Sequence, residues 1–112
     1  MAATINVARE RLARGQLSLG VGLRQARTVD IAKAMKTAGF DWLFIDLEHG
    51  SIPLDIAAQI STAALDAGIT PIVRVPHAEY ALATRALDTG ARWAWSCRTS
   101  TPPRRHAPSF RD

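Results

Sequence analysis

The chain reads as an α/β domain built on a parallel sheet, and three observations predict this. A helix-ending glycine followed by the start of a strand recurs at Ala38-Gly39-Phe40, Ala67-Gly68-Ile69 and Thr89-Gly90-Ala91. Between these points apolar residues recur at helical spacing, so helices and short apolar runs alternate. The run Trp42-Leu43-Phe44-Ile45 is apolar without alternation, which is the pattern of a parallel strand covered on both faces. Strands alternating with helices imply βαβ units.

Each element has a local cause. Residues 6–14 suit a short helix capped by Asn6 and stopped by Gly15. Residues 17–23 form an apolar strand loosened by glycines. Thr28 and Asp30 are capping types, and Ile31, Ala34, Met35 and Ala38 line one face of the helix that follows. After the strand at Trp42, Pro53 suits a helix start, and Ile56, Ile60, Ala63, Ala64 and Ala67 form its stripe. Residues 70–75 are the next strand. Tyr80, Ala83, Thr84 and Leu87 mark a further helix, ended by Gly90.

Charge divides the chain near residue 91. Residues 1–91 carry nine basic and nine acidic side chains, whereas residues 92–112 hold five Arg against Asp112 and supply the whole net charge of +4. That segment has no Leu, Ile or Val and contains the pair Pro102-Pro103, so it is expected to be a disordered Arg/Pro-rich tail. Residues 1–91 are expected to make up one incomplete domain. With its basicity confined to the tail, the domain does not read as a nucleic-acid binder. One cysteine leaves no intramolecular disulfide and no multi-cysteine zinc site, which fits a cytoplasmic setting. No apolar run approaches a membrane span, and the Arg-bearing N-terminus reads as mature sequence.

Sites in parallel α/β folds lie at the carboxyl ends of strands. Asp46-Leu47-Glu48-His49-Gly50 places three ionisable groups directly after a buried strand. Burying charge is costly unless it is paired, so such a cluster points to a site. Arg74 ends the next strand and is expected beside it. Its guanidinium suits a carboxylate or a developing enolate, or else an ion pair with Asp46 or Glu48. Asp88, near the end of the last helix, reads as a site carboxylate or as surface charge. Arg24 and Arg27 follow the first strand and face either an anionic ligand or water. His77 and Glu79 read as capping or surface residues, and Cys97 has no neighbouring base and no assigned chemistry. Gly20-Val21-Gly22 lacks the third glycine of a dinucleotide-binding turn, and its helix begins too late to meet a pyrophosphate.

Residues 38–50, followed by Pro71-Ile72-Val73-Arg74-Val75-Pro76 and Leu87-Asp88-Thr89-Gly90-Ala91, resemble the HpcH/HpaI aldolase/citrate lyase family in order and spacing. The resemblance implies about three βα units of a (β/α)8 barrel, which as a whole needs about 250 residues. It implies a metal-dependent carbon–carbon lyase that cleaves 2-keto-3-deoxy or 4-hydroxy-2-oxo acids to pyruvate and an aldehyde through an enolate. By matching position, His49 resembles the catalytic base, Asp88 the carboxylate paired with it, and Arg74 the arginine holding the pyruvate-derived oxygen. The family's divalent metal, Mg2+ or Mn2+, is held by a Glu and an Asp downstream of Gly90, in a region this chain lacks, so no metal ligand is assigned here. The chain by itself is therefore expected to be inactive, to fold poorly with its strand edges open, and not to form the family's hexamer. The contrasting reading is a non-enzymatic fragment whose basic tail binds nucleic acid or an acidic partner.

The tail has a reading of its own. Tryptophan has one codon, TGG, so the frame can be partly reconstructed around Trp93 and Trp95. Starting at the third base of Trp93, synonymous codons allow Gly-Val-Val-Val-Pro-His-Val-Asp-Thr-Pro-Glu-Glu-Ala-Arg, an aliphatic strand, a loop and an acidic helix start. A single-base slip near residues 91–93 is thus expected in the gene or its sequencing.

Overall fold

The computed structural model describes residues 5–76, 80–89 and 93–96, with backbone alone for Tyr80, Ala83, Asp88, Thr89 and Trp93–Ser96. The order is α1 (Val7–Ala13), β1 (Gly20–Leu23), α2 (Asp30–Ala38), β2 (Trp42–Asp46), α3 (Leu54–Ala67), β3 (Thr70–Val75), α4 (Tyr80–Thr89) and β4 (Trp93–Ser96). The four strands form one sheet in the order β1-β2-β3-β4, every pair parallel. Helices alternate with strands, as the glycine-punctuated pattern predicts.

Local chemistry sets the boundaries. The Asn6 side chain accepts the Arg9 N–H at 3.0 Å and caps α1. Gly39 and Gly68 end α2 and α3 at φ 102° and 83°, a left-handed conformation that a side chain at Cβ disfavours. At α2 the cap position falls to Val29, without a side-chain cap, while Thr28 donates its hydroxyl to the Asp30 carboxylate in the first turn. The first strand is shorter than the apolar run, because Leu17 and Leu19 remain exposed ahead of it.

One face of the sheet carries the core. Leu23, Leu43, Ile45, Val73 and Val75 are buried against Ala32 of α2 and Ala57, Ile60 and Ala64 of α3. Burying side chains of this size contributes about 1.5–3 kcal/mol each. The opposite face differs from expectation. Phe44 and Ile72 are only half-buried there, so among the described residues the unbroken apolar run of β2 is covered by helices on one side alone. The second face is the one a closed barrel turns inward, which accounts for its apolar residues without a helix above them. Trp42 and Phe44 meet on it edge to face, 6.3 Å apart.

α1 ties down the amino end of the sheet. Thr70 Oγ1 accepts the Ala8 N–H at 3.2 Å and donates to Asn6 Oδ1 at 3.2 Å. Asp41 pairs with Arg11 at 3.0 Å and accepts the Leu19 N–H at 2.9 Å.

The tail expectation needs one correction. Trp93–Ser96 falls within the segment read as disordered, yet it pairs with β3 from Ile72 to Val75 as a fourth strand. A ladder uses backbone groups, and Trp is a good strand former, so the absence of Leu, Ile and Val does not forbid it. Residues 97–112, with Cys97, lie outside the described residues.

Candidate functional site

The parallel register sets Arg74 directly beside Asp46 at the carboxyl ends of β3 and β2. Arg74 Nε donates to Asp46 Oδ1 at 3.1 Å and Nη2 donates to Oδ2, a two-pronged pairing. Asp46 Oδ1 also accepts the backbone N–H groups of Glu48 and His49, at 2.9 and 3.0 Å. One carboxylate thereby folds the turn after β2 and anchors the guanidinium. The Arg74 Cζ lies 5.3 Å from the centre of the Phe44 ring, a cation–π contact on the open face.

Burial alone would push the Asp46 carboxyl up. The hydrogen bonds from Arg74 and from the His49 and Glu48 N–H groups, with the Arg74 charge, outweigh it and hold the group down at about 2 instead of 3.8. The unfolded chain then binds the proton more readily than the folded one. This contribution to stability, about 2 kcal/mol, is complete above about pH 4 and is lost as the pH falls through about 2. Urea denaturation across this range is expected to show the loss, and Asp46→Asn is expected to flatten it.

Glu48 links the two candidate catalytic groups. Its Oε1 lies 3.4 Å from His49 Nε2 and 3.6 Å from Arg74 Nε, so those nitrogens are no more than about 7 Å apart. The imidazole is well exposed, at 62%, whereas Arg74 and Glu48 are each at 19%. Of the alternatives for Arg74, the ion pair with Asp46 and Glu48 is the one formed here. His49 and Arg74 are brought together. Asp88 sits next to last in α4, a helix that returns the chain from the carboxyl end of β3 to the amino end of β4. Its backbone therefore lies toward the opposite end of the sheet from His49, and its side chain is outside the described atoms. His77 and Glu79 also fall outside the described residues.

On the other side of β2, the loop after β1 is fastened to the His49 turn. Arg24 Nε and Nη2 donate to the His49 carbonyl oxygen at 2.9 and 2.5 Å. The Arg24 carbonyl accepts the Ser51 N–H at 2.8 Å, and Arg27 Nη2 donates to Ser51 Oγ at 3.3 Å. Gly22, Arg24, Gln25, His49, Gly50 and Ser51 line a cleft of about 620 Å³ there. A second cleft, about 550 Å³, runs between α2 and α3 past Lys33, Lys36 and Asp66 and shares no lining residue with the first. The bond from Arg24 to His49 is beyond sequence reasoning, which has no way to pair two loops before the strand order is known.

Among the described residues no three His, Cys, Asp or Glu side chains converge as a metal site. Both Asp46 oxygens are engaged by Arg74, so the described residues do not form the metal centre that the resemblance implies. No helix among them is long and apolar enough to cross a membrane.

No family model matches the sequence. The chain is 39% identical over 92 residues to the 4-hydroxy-4-methyl-2-oxoglutarate aldolase tasA of Hapsidospora irregularis, covering 81% of this chain and 34% of that protein. It is 36% identical over 93 residues to a 4-hydroxy-2-oxovalerate aldolase of Novosphingobium aromaticivorans, covering 82% and 35%. The fold superposes on the crystal structure of an HpcH/HpaI aldolase from Desulfitobacterium hafniense DCB-2 with a TM-score of 0.72 at 27% identity, over 80% of this chain and 35% of that one. The chain thus spans about a third of the length of the relatives it matches. With the strand order, the turn after β2 and these likenesses in agreement, the chain belongs to the HpcH/HpaI aldolase family and carries the amino-terminal part of its barrel.

Proposed function

We propose that the complete protein is a carbon–carbon lyase that splits 4-hydroxy-2-oxo acids into pyruvate and a carbonyl compound. The observation that carries this reading is the Asp46-held turn, which sets the His49 imidazole and the Arg74 guanidinium around one Glu48 oxygen at the ends of adjacent strands. His49 takes the proton from the C4 hydroxyl as the C3–C4 bond breaks. The bonding pair moves to C3, giving the enolate of pyruvate, and C4 leaves as a carbonyl. Arg74 hydrogen-bonds the enolate oxygen, which favours the state in which charge has developed there. Among the described residues Glu48 is the carboxylate at hand for His49. Asp88 lies near the end of α4, and we propose that it pairs with an imidazole presented by another subunit in the assembled protein. A divalent metal would be held by the remainder of the barrel.

We further propose that the reading frame slips near residues 91–93. A frame-restored gene would continue as the aliphatic strand and acidic helix reconstructed above, and resequencing the locus tests this directly. In the frame-restored protein, release of pyruvate from a 4-hydroxy-2-oxo acid with Mg2+ or Mn2+ is the assay. His49→Asn is expected to lower kcat by about 10²–10⁴-fold, and the 112-residue chain is expected to release none. Undiminished turnover by His49→Asn would reject the base assignment.

A further inference from the structure

His49 carries its imidazole on an exposed turn. Glu48 is the ring's ion-pair partner, and with so much of the ring in water, side-chain packing does little to fix where it sits. The backbone that bears it is held instead, and from both sides. The His49 N–H donates to Asp46 Oδ1 at 3.0 Å, and the His49 carbonyl accepts Arg24 Nε at 2.9 Å and Nη2 at 2.5 Å. The first anchor is a buried carboxylate ending β2, and the second is a guanidinium from the loop after β1. Arg24 takes no part in the chemistry above, yet two of its donors converge on one oxygen of the proposed base.

A planar fork of two N–H groups on one carbonyl fixes the orientation of the peptide as well as its distance, and the charge on the donor makes each bond stronger than a neutral one. The restraint matters at this point because the peptide it holds joins His49 to Gly50, which has no side chain to limit its rotation. The Arg24 carbonyl accepts the Ser51 N–H at 2.8 Å, so main chain and side chain of one residue grip the turn on either side of Gly50. Arg74 stands on the other flank of β2 and is anchored by Asp46. Loss of Arg24 therefore leaves the partner of the enolate oxygen in place.

We infer that Arg24 is the positioning residue of the base: it acts on carbon–carbon cleavage only through His49, by holding the peptide that carries the imidazole. The inference rests on the lyase reading above and adds no chemical step to it. The proton still passes from the C4 hydroxyl to His49, and Arg24 touches neither the substrate nor the ring.

In the frame-restored protein Arg24→Ala is expected to lower kcat for pyruvate release by about ten- to a hundredfold while KM stays within about twofold. Guanidinium ion, added far below denaturing concentrations, restores part of the rate by reoccupying the fork. Methylammonium has the charge without the planar pair of donors and restores none. The decisive comparison uses the His49→Asn background, where a residue that acts only through His49 has nothing left to lose, so adding Arg24→Ala leaves kcat unchanged. An undiminished kcat in Arg24→Ala, a raised KM at constant kcat, or an equal loss with and without His49 overturns the inference and leaves the lyase reading standing. If no form releases pyruvate, or His49→Asn turns over undiminished, the lyase reading fails and the role in catalysis goes with it. Amide hydrogen exchange over residues 48–51 then decides the restraint by itself. Faster exchange in Arg24→Ala that guanidinium reverses supports it, and unchanged exchange overturns it.

Discussion

Asp46→Ala is expected to destabilise the protein by about 3–5 kcal/mol, the usual cost of stripping one partner from a mostly buried ion pair. Four donors lose their acceptor at once: Arg74 Nε and Nη2, and the N–H groups of Glu48 and His49. Asp46 is 3% exposed, so little water reaches the space it leaves. Asp46→Asn keeps one acceptor oxygen and is expected to be milder. Chemical denaturation of the frame-restored protein and both variants measures the difference. A loss under about 1 kcal/mol in Asp46→Ala would mean that Glu48 can take over Arg74 unaided, and the turn after β2 would not depend on Asp46 as described.

Gly50→Ala is the second large effect, and its cause is space. A Cβ at this position would stand 2.6 Å from the Arg24 carbonyl oxygen and 2.7 Å from that of Asp46, both backbone atoms without a flexible end to swing away. The turn must shift, and with it the two hydrogen bonds from Arg24 to the His49 carbonyl. Overpacking of this kind costs about 1–3 kcal/mol, and a displacement near 1 Å at a reacting group is worth about a hundredfold in rate. A fall of that order in kcat/KM for pyruvate release is expected from Gly50→Ala. Gly22→Ala is the steric control for stability, since nothing lies within 4 Å of a Cβ there. Turnover within twofold of the unsubstituted protein would show that the turn tolerates the shift.

Much of this was legible in the sequence because the signals are local. Gly39 and Gly68 stop helices through their own backbone conformation, and Asn6 caps the turn that follows it. The cluster at Asp46, Glu48 and His49 follows a buried strand, so its placement at a strand end is visible before any coordinates. What escaped depends on partners distant in the chain. The open face at Phe44 cannot be told from a covered one, because a barrel interior and a helix-covered face select the same apolar residues. Composition marks Trp93–Ser96 as unstructured, although pairing with β3 is a backbone matter. The motif alone links Asp88 to His49, and only the course of α4 shows that its backbone lies toward the other end of the sheet.

The link between the loop after β1 and the turn after β2 bears on how a ligand is received. Arg24 meets the second loop through its carbonyl and through its side chain, and Gly50 permits the close approach. Two rim segments that would otherwise wander separately are thus clamped when the chain folds. A guest entering between them finds its walls already in place and has little disorder left to quench.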